Sequence, residues 1–152
     1  MVRYMTISDY DNVYKLWNTI DGFVIRSIDD SREGIERFLN RNKDISVVFE
    51  DDDKIIGSLL CGHDGRTGYF YHVCVDTEHR NRGIATAMTE MALEALKREK
   101  INKVSLIAFS NNDGGNAFWK EIGWVERKDV NFYDRVLNAE NSNFVNNVFK
   151  IC

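Results

Sequence analysis

The chain has 152 residues, of which 43% are hydrophobic and 29% charged, and its formal net charge is -4 at pH 7. This composition predicts one globular domain over residues 1–152 and excludes an intrinsically disordered chain. The acidic balance, with no run of Lys and Arg, argues against nucleic acid as a partner.

The first part of the chain predicts a strand followed by two helices. Residues 2–7 favour a strand, and Ser8 or Asp9 can cap the first helix. A second helix is expected to begin near Asp30 or Ser31, because the D-x-x-E pattern that starts at Asp30 resembles a capping box.

The middle of the chain predicts three consecutive strands. Residues 45–50 and 54–61 flank three aspartates, which indicates an antiparallel hairpin with an acidic turn. After a glycine-containing turn, residues 69–75 are rich in β-branched and aromatic side chains and favour a third strand.

A charged turn separates this third strand from a long amphipathic helix. The apolar period changes from strand to helix between Arg80 and Gly83. A helix start leaves about four N–H groups without intrahelical partners and is electropositive, so it can bind an anion. Arg80 and Arg82 add positive charge, and Gly83 allows a ligand to approach the backbone closely. The pattern predicts a phosphate or pyrophosphate site, although a solvated basic turn fits this pattern equally well.

The remaining residues predict a strand, a helix and two further strands. Residues 103–109 favour a short buried strand, and 116–122 a helix that Gly123 ends. Residues 124–127 and 144–151 favour strands. The whole order predicts a mixed α/β domain, with a mostly antiparallel sheet flanked by helices.

The spacing Arg80-x-x-Gly83-x-Ala85, between a strand and a helix, closely resembles the acyl-CoA pyrophosphate loop of the GNAT superfamily of N-acyltransferases. The order of predicted elements is also that of the GNAT fold.

A second motif strengthens the resemblance. Asn112, Trp119, Gly123 and Trp124 stand at spacings common in the family, where an aromatic residue follows Asn by seven positions and Gly by one. The resemblance covers about residues 1–127 and is weakest in the tail, 128–152.

The resemblance implies an acyl-CoA-dependent N-acyltransferase that uses acetyl-CoA as cosubstrate, without a metal. An amine would attack the thioester directly in a ternary complex. The cofactor-binding residues that the resemblance implies are the main chain of Val73 and Val75, then Arg80, Asn81, Arg82, Gly83, Ile84, Ala85 and Thr86, with Asn112 and Trp119.

The catalytic base is harder to assign, because the strand before the loop carries no carboxylate. Strict alternation puts Tyr69, Tyr71, Val73 and Val75 on one face and His72 on the other, unless a bulge rearranges them. Tyr71 is then the candidate polar group on the substrate side. Histidine side chains in general titrate near neutral pH, so a histidine would be the better base, but His72 would lie on the wrong face.

The catalytic acid departs from the family pattern. The aromatic residue seven positions after Asn112 is commonly a tyrosine that protonates the leaving thiolate, whereas here it is Trp119. An indole N–H is no practical acid. Either the thiolate leaves without a side-chain acid, or another group such as Tyr133 supplies the proton.

Two minor hypotheses concern Cys and His residues. In one hairpin register, Cys61, His63, His72 and Cys74 would meet as a zinc site, although their spacing is not that of common zinc motifs. Cys74 as an acylated nucleophile is less favoured still, because nothing nearby clearly lowers its pKa.

The compartment and partners follow from weaker signals. The three cysteines, an odd number, lack the spacing of a disulfide framework, and we expect free thiols in the cytoplasm. The longest apolar patch is too short to span a bilayer, so no membrane partner is expected.

The acceptor would be a small-molecule or protein amine. The acidic group Glu50 to Asp53, with Asp29 and Asp30, could attract a cationic amine, but such runs are more often solvated. A homodimer and a non-catalytic acyl-CoA-binding module remain open alternatives.

Overall fold

The computed structural model describes residues 1–145. Within them, the strands β1 to β7 are Val2–Tyr4, Val24–Arg26, Val47–Asp51, Lys54–His63, Thr67–Val75, Lys103–Leu106 and Asn143–Val145. The helices α1 to α4 are Tyr10–Thr19, Arg32–Arg41, Ile84–Arg98 and Asp113–Glu121. Short 3-10 turns at Ile7–Asp9 and Thr77–His79 precede α1 and α3. No helix in this part of the chain is both long and apolar enough to cross a membrane.

Five strands form the main sheet in the order β1-β3-β4-β5-β6. All neighbours are antiparallel except β5 and β6, which run parallel. The strands β2 and β7 form a separate antiparallel pair, with Val24 opposite Val145. The predicted mixed, mostly antiparallel sheet flanked by helices is confirmed.

Helices cover both faces of the sheet and divide the core into two apolar clusters. Met88, Ala92 and Leu96 of α3 pack on one face with Phe70 of β5. On the other face, Trp17 of α1 and Ile35 of α2 are among the buried residues that pack together with Cys74 of β5. Phe70 and Cys74 lie four positions apart on β5, so strict alternation would place them on the same face, and their entry into different clusters indicates an irregularity between them.

The hairpin between β3 and β4 confirms the predicted acidic turn. Asp52 and Asp53 have φ angles of 46° and 60°. A two-residue hairpin turn with positive φ at both central positions matches the right-handed twist of the strands, and aspartate tolerates this conformation better than most residues. Both side chains are exposed, so these two aspartates form a solvated turn.

A bulge interrupts the antiparallel pairing of β4 and β5. Ser58 lies opposite Cys74, whereas Leu60 lies opposite Tyr71. Two residues of β5, His72 and Val73, therefore face a single residue of β4, and His72 has a φ of 50°. A bulge of this kind bends the strand and changes the direction of its side chains.

Several predicted element boundaries differ from the structure. Residues 124–127 form no strand, and strand β2 was not anticipated. The N-cap of α2 is Ser31, whose hydroxyl accepts a 3.0 Å hydrogen bond from Gly34 N, so the capping-box interpretation of Asp30 is wrong. The late strand begins at Asn143, and the rest of the predicted strand, 146–151, lies outside the described residues.

Candidate active site

The parallel pair β5 and β6 separates halfway along β5. Their described register runs from Thr67 opposite Lys103 to Phe70 opposite Leu106, whereas β5 continues to Val75. Asp76 N donates to Ile56 O at 2.8 Å, across to β4. Because successive N–H groups of a strand point to opposite edges, those of Val73 and Val75 point to the edge that β6 leaves open. This edge is where the pantetheine contacts were expected.

The predicted anion site lies directly beyond this open edge. Gly83 is the N-cap of α3, with a φ of 75°, and the first intrahelical bond runs from Ala87 N to Gly83 O. The N–H groups of Ile84, Ala85 and Thr86 therefore have no intrahelical partner. A Cβ built at Gly83 would meet nothing within 4 Å, and the first turn of α3 carries no acidic residue. The helix start is open and electropositive.

The two loop arginines differ in their contacts. Arg80 Nε donates to Val75 O at 3.3 Å, which ties the loop to the end of β5. Arg82 lies on the exposed surface, with its Nη2 3.9 Å from Asp51 Oδ2. A contact of that length between exposed groups is weak, so Arg82 can turn towards an anion at little cost. Asn81, with a φ of 61°, forms the tight part of the turn.

The bulge brings His72 to the same face as Tyr71, which corrects the strict alternation. The His72 ring lies 4.7 Å from the rings of Trp17 and Phe23, and the Tyr71 ring lies 5.9 Å from that of Phe38. Trp17 and Phe38 belong to α1 and α2. Val73 instead packs with the cluster on the α3 face. The physical reason is the extra residue in β5, which reverses the side-chain order beyond it.

His72 pairs with a carboxylate that was interpreted as a helix cap. Its Nε2 lies 2.8 Å from Asp30 Oδ1, and the Asp30 side chain is only 5% exposed. The sequence indicates Asp30 as a capping residue, or as part of an acidic group that could attract a cationic amine but is more often solvated. No local pattern joins it to His72, which is 42 residues away.

Tyr71 offers a hydrogen-bond donor beside His72. Burial, and then the neighbouring Tyr69, raise the pKa of Tyr71, so its phenol keeps its proton at neutral pH. Tyr69, Tyr71 and Phe38 line a cleft on the α2 side, together with polar groups such as Asp64. Tyr71 therefore presents a hydrogen-bond donor at this cleft, and its contact with an acceptor stays a prediction.

The structure does not support the two minor cysteine hypotheses. Burial raises the pKa of Cys74 to about 11, so this thiol stays protonated at neutral pH and is a poor nucleophile. Cys61 lies opposite Phe70 and His63 opposite Gly68, a register that separates the proposed zinc ligands. Among residues 1–145, no three or more His, Cys, Asp or Glu side chains are grouped for a metal ion.

The second motif has a structural explanation in helix α4. Asn112 caps the helix, and its Oδ1 accepts a 3.1 Å hydrogen bond from Gly115 N. At the other end, Gly123 has a φ of 95°, and Trp124 N donates to Trp119 O at 2.9 Å. This is the Schellman pattern, which requires a residue at positive φ. The rings of Trp119 and Trp124 lie 4.8 Å apart and pack against the α3-side cluster.

Tyr133, the candidate acid, is 86% exposed and lies outside any helix or strand. The contacts described for residues 1–145 do not join it to His72 or to the start of α3. Its catalytic role stays a prediction.

Comparisons with known proteins identify the family. The model of the acetyltransferase (GNAT) family matches residues 10–124. An acetyltransferase from Pectobacterium atrosepticum is 32% identical, over 80% of this chain and 84% of that protein. An acetyltransferase from Sodalis glossinidius is 29% identical, over 85% of this chain and 89% of that protein.

A solved structure shares the fold. The PaiA N-acetyltransferase from Thermoplasma acidophilum, in complex with coenzyme A, superposes with a TM-score of 0.68 at 14% identity, over 81% of this chain and 87% of that chain. The matched region includes β5, the turn from Arg80 to Gly83 and Trp124, and the matched proteins are acetyltransferases. A non-catalytic binding module is therefore not favoured. The resemblance drawn from the two motifs is confirmed, and the chain belongs to the acetyltransferase (GNAT) family of enzymes.

Proposed function

We propose that this enzyme transfers the acetyl group of acetyl-CoA to an amine by direct attack in a ternary complex. The observation that carries the proposal is the continuity between the open edge of β5 and the start of α3. N–H groups of Val73 and Val75 can bind the amide-rich pantetheine arm, and those at the start of α3 can bind the pyrophosphate. Arg82 can neutralise part of the phosphate charge.

The acceptor side of the site lies on the α1 and α2 face. There His72 and Tyr71 project from β5 close to the bulge. An amine must lose a proton as it attacks, so a base within reach of the nitrogen accelerates the step. We assign this role to His72, and to Tyr71 the role of a hydrogen-bond donor to the acceptor.

The leaving thiolate has no obvious side-chain acid. Trp119 packs against Phe70 and Trp124 and has only a weakly acidic N–H. We therefore propose that the thiolate is stabilised by the start of α3 or by water, with Tyr133 as the remaining candidate acid. Trp119 and Asn112 contribute by holding α4 as a wall of the cofactor channel.

We propose that the acceptor is a small-molecule or protein amine and that the enzyme acts in the cytoplasm. Cys61 and Cys74 are buried free thiols, which suits a reducing compartment. A homodimer stays a prediction that light scattering can test.

Calorimetric titration with acetyl-CoA, followed by a thiol-release assay against a panel of amines, tests the proposal. We expect binding, and release with at least one amine. Binding without release across small amines and amino-terminal peptides would overturn the proposed transfer. Lack of acetyl-CoA binding would overturn the assignment of the open edge and helix start.

A further inference from the structure

Three parts of the chain hold Asp30 in place, two of them through its carboxylate. Its Oδ2 accepts a 2.7 Å hydrogen bond from Arg26 N, and its Oδ1 is the atom 2.8 Å from His72 Nε2. The main-chain oxygen of Asp30 accepts a 2.7 Å hydrogen bond from the Tyr10 hydroxyl. The side chain is 5% exposed, so the carboxylate is largely shielded from water.

This arrangement determines which nitrogen of His72 carries the proton. An ionised carboxylate only accepts hydrogen bonds, so the nitrogen that faces it, Nε2, must be the protonated one. In the neutral ring, Nδ1 then has the free lone pair. Among the described residues, none hydrogen-bonds Nδ1, and the side chain of His72 is 20% exposed. The rings of Trp17 and Phe23 hold the plane of the imidazole.

We propose that Asp30 is the positioning residue of the proposed reaction, which fixes His72 in the Nε2–H tautomer so that Nδ1 accepts the proton of the attacking amine. This inference rests on the function proposed above. The amine nitrogen forms a bond to the thioester carbon, the carbon–sulfur bond breaks, and its electron pair leaves with the thiolate. The proton released by the amine moves to Nδ1, and afterwards from Nδ1 to the thiolate or to solvent.

Asp30 also stabilises the product of that proton transfer. Once Nδ1 is protonated, the ring carries a positive charge 2.8 Å from a buried carboxylate. A hydrogen bond between the positively charged ring and the carboxylate is stronger in such a site than the bond that the neutral ring donates to the same carboxylate. Asp30 therefore acts through His72 and needs no contact with the substrate.

The substitution Asp30→Asn tests the proposal sharply because of Arg26. The Arg26 N–H can only donate, so the amide oxygen of the new side chain must face it, and the amide NH2 must face His72. Nε2 must then accept, which forces the Nδ1–H tautomer. We expect kcat to fall about 100-fold or more, while the Kd for acetyl-CoA stays within about twofold.

Asp29→Asn is the matched control. Asp29 is the adjacent carboxylate, its side chain is 52% exposed, and it pairs with Asn141. We expect its kcat to change less than about threefold. Equal activity of the two variants would overturn the proposal.

Two further measurements separate positioning from a general structural role. In a His72→Gln background, adding Asp30→Asn should cause no further loss of kcat, whereas an additional loss comparable with that in the wild-type background would overturn the proposal. The 15N NMR signals of the ring should show Nε2–H in the wild type and Nδ1–H in Asp30→Asn. An Nδ1–H ring in the wild type would overturn the proposal without any variant. The NMR result does not depend on turnover, so it also distinguishes failure of this inference from failure of the proposed function.

Discussion

Trp17 Nε1 donates a 2.9 Å hydrogen bond to Ser58 Oγ, and neither residue has exposed surface. The bond joins α1 to β4 at the residue where the bulge with β5 begins, opposite Cys74. The bond therefore fixes α1 against β4 and β5. Helix α1 covers His72, and the bulge between β4 and β5 turns His72 towards that helix.

We expect Ser58→Ala to lower the free energy of unfolding by about 1–3 kcal/mol, because the buried indole N–H loses this acceptor. Urea denaturation measures the change. In a Trp17→Phe background the same substitution should cost less, because the bond is already absent. Equal costs in the two backgrounds would show that the bond contributes nothing.

Charge at residue 83 tests the phosphate site. We expect Gly83→Glu to weaken acetyl-CoA binding at least about 10-fold more than Gly83→Gln does. Glutamate and glutamine have nearly the same size and cause the same backbone strain at the positive φ of residue 83, so the two variants differ in charge. Calorimetry measures both Kd values. Gly65→Glu is the control: Gly65 also has a positive φ and open space around it, but lies in the turn before β5. That variant should bind acetyl-CoA normally.

Cys74 should be dispensable for transfer. Burial raises the pKa of this thiol to about 11, so a covalent acyl-enzyme is not expected. We predict that Cys74→Ala keeps kcat within about threefold of the wild type, although it loses some packing. Mass spectrometry of the wild type during turnover should find Cys74 unacetylated. Its acetylation at a rate matching turnover would contradict direct attack.

The Arg3 and Asp9 pair predicts a pH-dependent stability. Burial raises the pKa of Asp9, but hydrogen bonds from Arg3 and Thr6 outweigh it, and the pKa is lowered overall. The stabilisation is therefore present above the unfolded pKa of about 4 and is lost as the pH falls below it. We expect Asp9→Asn to lose about 1–3 kcal/mol of unfolding free energy at pH 7 and progressively less below pH 4. A deficit independent of pH would contradict this.

Trp119→Tyr addresses the missing acid. If a phenol at this position reaches the sulfur, the thiol-release rate with a suitable amine should not fall, although stability should decrease by about 1–2 kcal/mol because the ring contacts with Phe70 and Trp124 shrink. Thermal melting and turnover are measured together. A loss of turnover with unchanged acetyl-CoA affinity would show that the indole has a role of its own.

Local signals predicted the change from strand to helix at Gly83 and the acidic hairpin well. The period change before α3, the glycine at its N-cap and the aspartates between β3 and β4 each act within a few residues. Predictions from such signals are reliable because the conformation of these segments depends on residues that are close in sequence.

Features set by distant contacts could not be decided from local signals: the sequence leaves the bulge in β5 open as an alternative, and it places the role of Asp30 wrongly. The bulge at His72 depends on the register with Ser58 and Leu60, which the sequence of β5 does not contain. In the sequence, Asp30 fits the pattern of a helix start, but in the structure its carboxylate contacts Arg26 and His72. Residues 124–127 have strand-like composition but pair with no described strand.

The pairing of β2 with β7 has a consequence for synthesis of the chain on the ribosome. Residues around Asp30 are held by partners more than 110 positions later, including Asn141, whose Oδ1 accepts from the N–H groups of Ile28 and Asp29. The sheet and α3 can assemble before those partners emerge, because their contacts lie earlier in the sequence. We therefore expect the segment around Asp30, on the proposed acceptor side, to fold last. The start of α3, where acetyl-CoA is proposed to bind, can form earlier during synthesis.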